Sequence, residues 1–358
     1  MVESQISARL LLEDGSVFYG TSFGYPQSTA GEIVFNTGMT GYPESLTDPS
    51  YFGQILVLTF PLIGNYGMPP SENERDLFKW YEAPSGMISA LVVDDYSLDY
   101  SHWQAKTSLA QWLYNQKIPA IAGIDTRALT KRIREKGVML AKLLIGEQEI
   151  DFYDPNKENL VQKVSIEKPQ LLGKGRTRVV LVDCGCKHSI MNELLQREVQ
   201  ILRVPWNYPV EEEKADGVLL SSGPGDPALC TETIEHTQKV LNKGLPTFGI
   251  CLGHQIMALA IGAKTYKMKY GHRSQNQPVV HRQTNRAYIT SQNHGYAVDE
   301  QTIPDDWQPF FTNLNDQTSE GLIHQSGKFM STQFHPEASP GPTDTRFLFD
   351  QFIENIKS

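Results

Sequence analysis

PTFGICLGHQIMAL, residues 246–259, decides the reading of this chain. Thr247 to Ile250 make a short apolar run after Pro246, as a strand buried on both faces does, and helical spacing begins immediately beyond Cys251, at Gln255, Ile256 and Leu259. A cysteine between Gly249 and Gly253, where a strand becomes a helix, has the form of a nucleophile elbow. Glycines on either side let the backbone turn sharply, so the thiol stands at the strand's C-terminal end. The first turn of the helix directs free N–H groups at the sulfur and favours thiolate over thiol. A buried structural thiol is the competing reading, because free cysteine is among the most buried residue types.

Working outward, RVVLVDCG (178–185), VQILRVP (199–205) and GVLLSSG (217–223) are further near-continuous apolar runs. Between them lie amphipathic segments, at Ile190, Leu194 and Leu195 and again from Ala228 to Lys243. Such alternation predicts an α/β domain with a mostly parallel central sheet. Thr345 to Ile356, with Leu348, Phe352 and Ile356 every four residues, predicts a terminal helix packed on that sheet.

The first part of the chain reads differently. ARLLLEDG and SVFYGTSFG (8–24) are β-prone runs meeting at Asp14-Gly15, which predicts a hairpin. Glu32 to Asn36, Gln54 to Phe60 and Met87 to Val93 are further strand candidates. Leu109, Trp112 and Leu113 have helical spacing, as does Asp125 to Lys136, where Ala128, Leu129 and Ile133 would face inward. From 151 to 176 the pattern weakens into polar sequence mixed with Pro, Gly and Lys, which reads as a linker. The expected organisation is a smaller mixed α and β domain at 1–150, a linker at 151–176 and the α/β domain at 177–358.

Composition narrows the functions available. A chain of 358 residues with 40% hydrophobic and 20% charged residues has enough apolar material for two cores. A net charge of −9 repels phosphate backbones and makes nucleic acid an unexpected partner. The longest apolar stretches, Met87 to Val93 and Ile256 to Ile261, are far short of a membrane span. MVESQISARLLLEDG (1–15) lacks the basic, apolar and small-residue succession of a leader, so cytoplasmic residence is expected. Four cysteines, at 184, 186, 230 and 251, are too few to staple a chain this long.

A partner for Cys251 stands near the C-terminus in QFHPE (333–337). His335 and Glu337 are two apart on what should be an extended segment, so both side chains would face one way. A carboxylate beside an imidazole fixes its tautomer and stabilises its charged form. The imidazole can then take a proton from the cysteine and return one to a leaving group. An isolated His-x-Glu is more commonly an incidental surface pair.

The order Cys251, His335, Glu337 on such an elbow resembles the class I glutamine amidotransferase family, and SSGPGDP (221–227) resembles that family's glycine-rich loop. The resemblance implies a thioester route for hydrolysing the side-chain amide of glutamine, with Gly223 and Leu252 as oxyanion donors. GEIVFNTGMTGY (31–42), LTDPSY (46–51), PLIGNYG (61–67), GIDTRALT (123–130), SQNHGYAVD (291–299) and HPEASPGP (335–342) resemble the small-subunit family of carbamoyl phosphate synthetase over nearly the whole chain. This second resemblance implies a site for L-glutamine made of Ser50, Gly223, Gly225, Leu252, Gln255, Asn293, Gly295 and Tyr296. The N-terminal domain would contribute to it and contact a large synthetase subunit. Tyr296 replaces an expected phenylalanine and Ser189 a usual asparagine.

The same resemblance implies that the large subunit receives the ammonia and combines it with bicarbonate and ATP for pyrimidine and arginine synthesis. ATP, Mg and bicarbonate are then expected only on that partner, with no cofactor or metal in this chain. GLIHQSGKF (321–329) fits this, because it is one residue too long for a phosphate loop and lacks the Ser or Thr. A zinc-dependent deaminase is the rival enzyme, since His335-x-Glu337 and Cys184-x-Cys186 imitate parts of its signature, but no cysteine follows Cys251. A non-catalytic regulatory module on the same fold is the rival binding protein.

Overall fold

Successive side chains of a strand point to opposite faces, so an unbroken apolar run can supply two cores at once. In Arg178–Asp183, Val179 and Leu181 enter one hydrophobic cluster while Val180 and Val182 enter another. The computed structural model describes residues 6–75 and 77–357, so residues 1–5 at the start of the stretch read for a leader lie outside the described residues. The chain divides into two units, Met1–Asn73 with Phe78–Lys157 and Glu74–Leu77 with Glu158–Ser358.

In the first unit seven strands close into a barrel, in the order Ser7–Leu12, Met139–Ile145, Thr29–Asn36, Gln54–Leu58, Ala90–Val92, Ala120–Ala122, Val17–Ser22. The expected hairpin is present, with Leu10 opposite Phe18 and Gly15 at φ 83° in the turn. Thr29–Asn36, Gln54–Leu58, Ala90–Val92 and Ala120–Ala122 run parallel, and the other neighbours are antiparallel. The Asp125 side chain caps the helix Thr126–Lys136 by accepting from Ala128 N at 2.8 Å. Leu129 and Ile133 are buried as expected, but Ala128 is exposed and Thr126 takes the inward position one turn before Leu129.

The second unit carries a sheet of ten strands. Its order is Gln170–Leu172, Gln200–Pro205, Arg178–Asp183, Gly217–Leu220, Thr247–Ile250, Phe329–Thr332, Ser319–His324, Trp307–Asn313, Lys264–His281, Ala287–Asp299. From Gln200–Pro205 to Phe329–Thr332 the neighbours are parallel. Beyond Phe329–Thr332 the sheet continues antiparallel. The stretch read as a linker supplies the edge strand Gln170–Leu172, whose backbone pairing with Gln200–Pro205 needs no apolar periodicity. The near-miss phosphate loop is a hairpin between Ser319–His324 and Phe329–Thr332.

His188–Gln196 and Phe347–Lys357 contribute to one cluster, and Thr231–Asn242 and Leu252–Ala260 to the other. Phe248 lies at the centre of the first, fully buried, with the rings of Phe349 and Phe352 at 5.8 and 5.7 Å. Truncating it would leave a cavity directly beneath the elbow. Phe248→Ala is expected to lower unfolding free energy by about 3–5 kcal/mol in urea titrations. Leu171→Ala, on the exposed edge strand, should change it by less than about 0.5 kcal/mol; equal effects would contradict this account of the core.

Candidate active site

Parallel neighbours end on the same side of a sheet, and their C-terminal ends are where α/β proteins place their chemistry. Ile250 lies beside Thr332 in the register, so Cys251 and the segment 333–337 leave the sheet together. Arg178–Asp183 and Gly217–Leu220 end at the same edge and deliver Lys187 and Gly223. Sequence positions far apart are thereby brought to one place.

At the elbow, Cys251 itself adopts φ 54°, ψ −104° at the N-terminus of Leu252–Ala260. Sequence reasoning assigned the sharp turn to the glycines. Instead they are needed for close approach: a Cβ on Gly249 would lie 2.6 Å from Gly253 O, and one on Gly253 would lie 2.2 Å from Leu220 O. The cysteine carries the strain, about 1–3 kcal/mol for a non-glycine residue in such a region. Its amide donates to Thr332 O at 2.8 Å, and its carbonyl accepts from Gln255 N at 3.2 Å. Sγ faces Asn293 O at 3.7 Å.

His335 is likewise pinned by its backbone, N–H to Ser291 O at 3.0 Å. The segment is a turn and not the extended stretch expected: Ala338 N donates to His335 O at 3.1 Å, with Pro336 at the position where a fixed φ favours turning. The two side chains still meet, His335 Nδ1 lying 2.6 Å from Glu337 Oε1. His335 Nε2 is buried on the other side of the ring from Glu337. Cys251 lies close enough to this ring to favour its charged form, by charge and by hydrogen bonding.

Lys187 completes the arrangement, and sequence reasoning passed over it. Its ammonium lies 3.0 Å from Glu337 Oε1 and donates to Ala338 O at 2.9 Å, with both side chains of the ion pair buried. Asp183 shapes the preceding turn by accepting from Gly185 N and Cys186 N, while Arg203 pairs with its other oxygen at 2.7 Å. Burial opposes ionisation of Glu337, but Lys187 and then His335 outweigh it and hold its carboxyl well below the usual range. Burial also opposes the imidazolium, yet the charges of Glu337 and Cys251 overcome both it and Lys187, so the His335 ring is pushed up. The resting state is an imidazolium beside an ionised carboxylate. A lysine directly after a strand-end turn was visible in the sequence, but its target lay 150 residues away.

Gly223 packs so closely that a Cβ would stand 2.0 Å from Cys184 O and 2.8 Å from Leu252 Cδ2, which sets its backbone against the elbow. Leu252 opens the helix, so its N–H has no intrahelical acceptor. Gln255 Nε2 donates to Tyr296 O and to Gln333 Oε1, each at 3.0 Å. Asn293, Gly295 and Tyr296 share the strand Ala287–Asp299, and Gly225 sits at φ 87° beside Leu160. Ser50 belongs to the first unit, where its N–H donates to Asp48 Oδ1 at 2.9 Å and its hydroxyl is buried without a partner among the described residues.

The remaining histidines divide by environment. His254 is fully buried against Ser331 Oγ at 2.9 Å, and burial pushes its ring down to about 3. Among the described residues one cluster has the composition to hold a metal ion, His272, His294 and Glu320. It contains no cysteine, so Cys184 and Cys186 do not assemble with His335 as a zinc deaminase would require.

In that cluster His272 Nε2 lies 2.8 Å from Asp316, and Nδ1 lies 2.9 Å from Gln292 Oε1 and 3.3 Å from Glu320. Burial disfavours the charged ring, but Asp316 and Glu320 prevail and raise it to about 9. Burial likewise opposes Asp316, whose bond from His272 holds it at about 2. The sign follows from linkage. The His272 contribution is complete below its ordinary value and fades as pH rises through about 9. That of Asp316 is lost as pH falls through about 2. Asp316→Asn is expected to cost roughly 1 kcal/mol at pH 6 by urea titration. The gap from the unsubstituted protein should narrow above pH 9, and a gap constant from pH 6 to 10 would refute the charged pair.

Comparison with known proteins follows these boundaries. Residues 180–355 match the family model "Glutamine amidotransferase class-I", and residues 10–143 match "Carbamoyl-phosphate synthase small chain, CPSase domain". The "Carbamoyl phosphate synthase arginine-specific small chain" of Debaryomyces hansenii is 50% identical over 98% of this chain and 85% of its own length. The "Multifunctional protein CAD" of Squalus acanthias is 51% identical over 97% of this chain, and "Carbamoyl-phosphate synthase [ammonia], mitochondrial" of Homo sapiens is 50% identical over 98%. This chain spans only 16% and 24% of those two longer proteins. Both family models and the end-to-end likeness to a small chain agree, and the protein belongs to the carbamoyl-phosphate synthase small chain family, with a class I glutamine amidotransferase domain.

Proposed function

We propose that this chain is the glutaminase subunit of a carbamoyl phosphate synthetase, releasing ammonia from glutamine at Cys251 and passing it to a large synthetase subunit. The observation that carries the reading is the buried line Lys187, Glu337, His335 ending at the Cys251 elbow. Cys251 thiolate attacks the side-chain amide carbon of glutamine, and the oxygen takes up the negative charge beside the amides of Gly223 and Leu252. His335 gives its Nε2 proton to the departing nitrogen, which leaves as ammonia, and a thioester remains. Water then attacks, losing a proton to His335, and the thiolate leaves glutamate behind. Glutamine and water become glutamate and ammonia.

Ser50, Gly225, Gln255, Asn293, Gly295 and Tyr296 are the further glutamine ligands in this proposal. Support comes from their match to the family's motifs. The large subunit supplies ATP, Mg and bicarbonate chemistry in a heterodimer. Arginine and pyrimidine synthesis are the pathways, in keeping with an arginine-specific small chain among the relatives. Cytoplasmic residence is part of the proposal, supported by four cysteines that are free thiols; among the described residues no helix is long and apolar enough to cross a membrane.

Cys251→Ala in the complete complex should abolish glutamine-dependent synthesis and leave ammonia-dependent synthesis intact. Equal loss with both nitrogen sources would contradict the assignment. His335→Asn should slow acylation of Cys251 by about 10²-fold or more, read by mass spectrometry of the quenched enzyme. Lys187→Met removes the strongest opposing charge from Glu337, so the acid limb of the kcat/KM profile should move to higher pH. An unmoved limb would leave Lys187 a packing residue.

A further inference from the structure

Buried acceptors are ordinarily matched by donors, and a surplus of them points to a bound water or ion. Such a surplus lies in the second unit, where His272 of Lys264–His281 and His294 of Ala287–Asp299 are direct cross-strand partners. Gln292 is two residues from His294 on the same face of its strand. Glu320, wholly buried, approaches from Ser319–His324. One ligand atom from each of His272, His294 and Glu320 lies within 4.8 Å of the other two.

A backbone carbonyl only accepts, so the rings and amides can be oriented from the backbone outward. His294 Nδ1 lies 2.8 Å from Tyr296 O and carries the N–H of the neutral ring, which leaves Nε2 a lone pair. The Thr290 hydroxyl donates to Gln277 O at 2.9 Å, so its oxygen accepts from Gln292 Nε2 at 3.2 Å and Gln292 Oε1 turns inward. That oxygen is 3.1 Å from His294 Nε2, two acceptors with no proton to share. Glu320 Oε1 accepts from Asn313 Nδ2 at 3.0 Å, and Oε2 is buried with no partner among the described residues. His272 gives Nε2 to Asp316 at 2.8 Å and turns Nδ1 to the same centre, 2.9 Å from Gln292 Oε1 and 3.3 Å from Glu320 Oε1. A backbone carbonyl behind one imidazole and a carboxylate behind the other are the outer contacts of metal-bound histidines, which fix the tautomer and aim the free nitrogen.

We propose that His272 Nδ1, His294 Nε2 and Glu320, with Gln292 Oε1 beside them, bind one divalent transition-metal ion of the zinc class, against the expectation of a chain free of metal. Zinc accepts two imidazoles and a carboxylate, whereas magnesium and calcium favour oxygen ligands throughout. Binding releases to solvent the proton that His272 otherwise holds at Nδ1 between Gln292 and Glu320. The ion ties three strands together beside the elbow, because Asn293, between Gln292 and His294, faces Cys251 Sγ with its carbonyl at 3.7 Å. None of the four donors takes part in the proposed glutamine chemistry.

The test uses the full chain carrying Cys251→Ala, so that the active-site thiol cannot hold the ion, with zinc chloride or magnesium chloride as the only added ligand. After equilibrium dialysis, elemental analysis should find one zinc per chain and no magnesium. Cobalt chloride in place of zinc should give visible bands without thiolate charge-transfer absorption, which separates this nitrogen and oxygen site from Cys184, Cys186 and Cys230. Asp316→Asn removes an outer contact and should weaken zinc binding by about 10-fold or more. Glu320→Gln keeps the acceptor for Asn313 and should weaken it at least as much. Urea titration without zinc establishes that each variant is folded. A Cys251→Ala chain that retains no zinc would overturn the proposal, as would thiolate absorption with cobalt or undiminished zinc binding by the folded Glu320→Gln chain.

Discussion

Glu337 is a carboxylate with no exposed surface, and the site depends on keeping it ionised there. A lone charge so placed would cost several kcal/mol, enough to protonate it or unfold its surroundings. Two cations prevent this, Lys187 at 3.0 Å and the His335 ring at 2.6 Å, both against the same oxygen. From Lys187 the line reads plus, minus, plus, and it ends at the Cys251 elbow. Each of these three ions is stabilised by its neighbours, and removing Lys187 or His335 leaves Glu337 a buried charge with less compensation.

That line can form only because the backbone brings its members to one edge. Thr247–Ile250 and Phe329–Thr332 are adjacent and parallel, so residues some 80 positions apart emerge together. The remaining freedom is taken up by contacts too close for a side chain at Gly223, Gly249 and Gly253. Those contacts draw the helix against the strands until Cys251 must adopt its positive φ. Packing energy from the cluster around Phe248 offsets the strain, each fully buried aliphatic or aromatic side chain contributing about 1.5–3 kcal/mol.

Much of this was legible in the amino-acid order. Apolar runs such as RVVLVDCG and the switch to helical spacing after Cys251 are local signals, and they correspond to strands and helices where expected. His335 and Glu337 lie two apart, and the structure joins them, although through a turn. The antiparallel flank of the sheet and the closure of the seven-stranded barrel were not legible, because pairing between distant strands leaves no periodicity in either one. Lys187 was missed for a related reason. A lysine is normally a solvated residue, and only the chain crossing that places Glu337 beside it reveals a buried ion pair.

The alternation of charge also bears on the catalytic cycle proposed for Cys251 and His335. In that proposal the attacking thiolate and the imidazolium cancel, and Lys187 and Glu337 form an ion pair beside them. Once ammonia has left with the His335 proton in the proposed cycle, the cysteine is an uncharged thioester and the ring is neutral, so the four groups still sum to zero. When water attacks, the proton it gives the ring accompanies the negative charge that appears on the acyl oxygen, and the balance holds again. Every intermediate of the proposed cycle therefore carries the same net charge, which asks little reorganisation of the surrounding dipoles between steps. Lys187 and Glu337 contribute as a buried ion pair of fixed geometry, and in the proposed cycle His335 Nε2 is where the proton comes and goes.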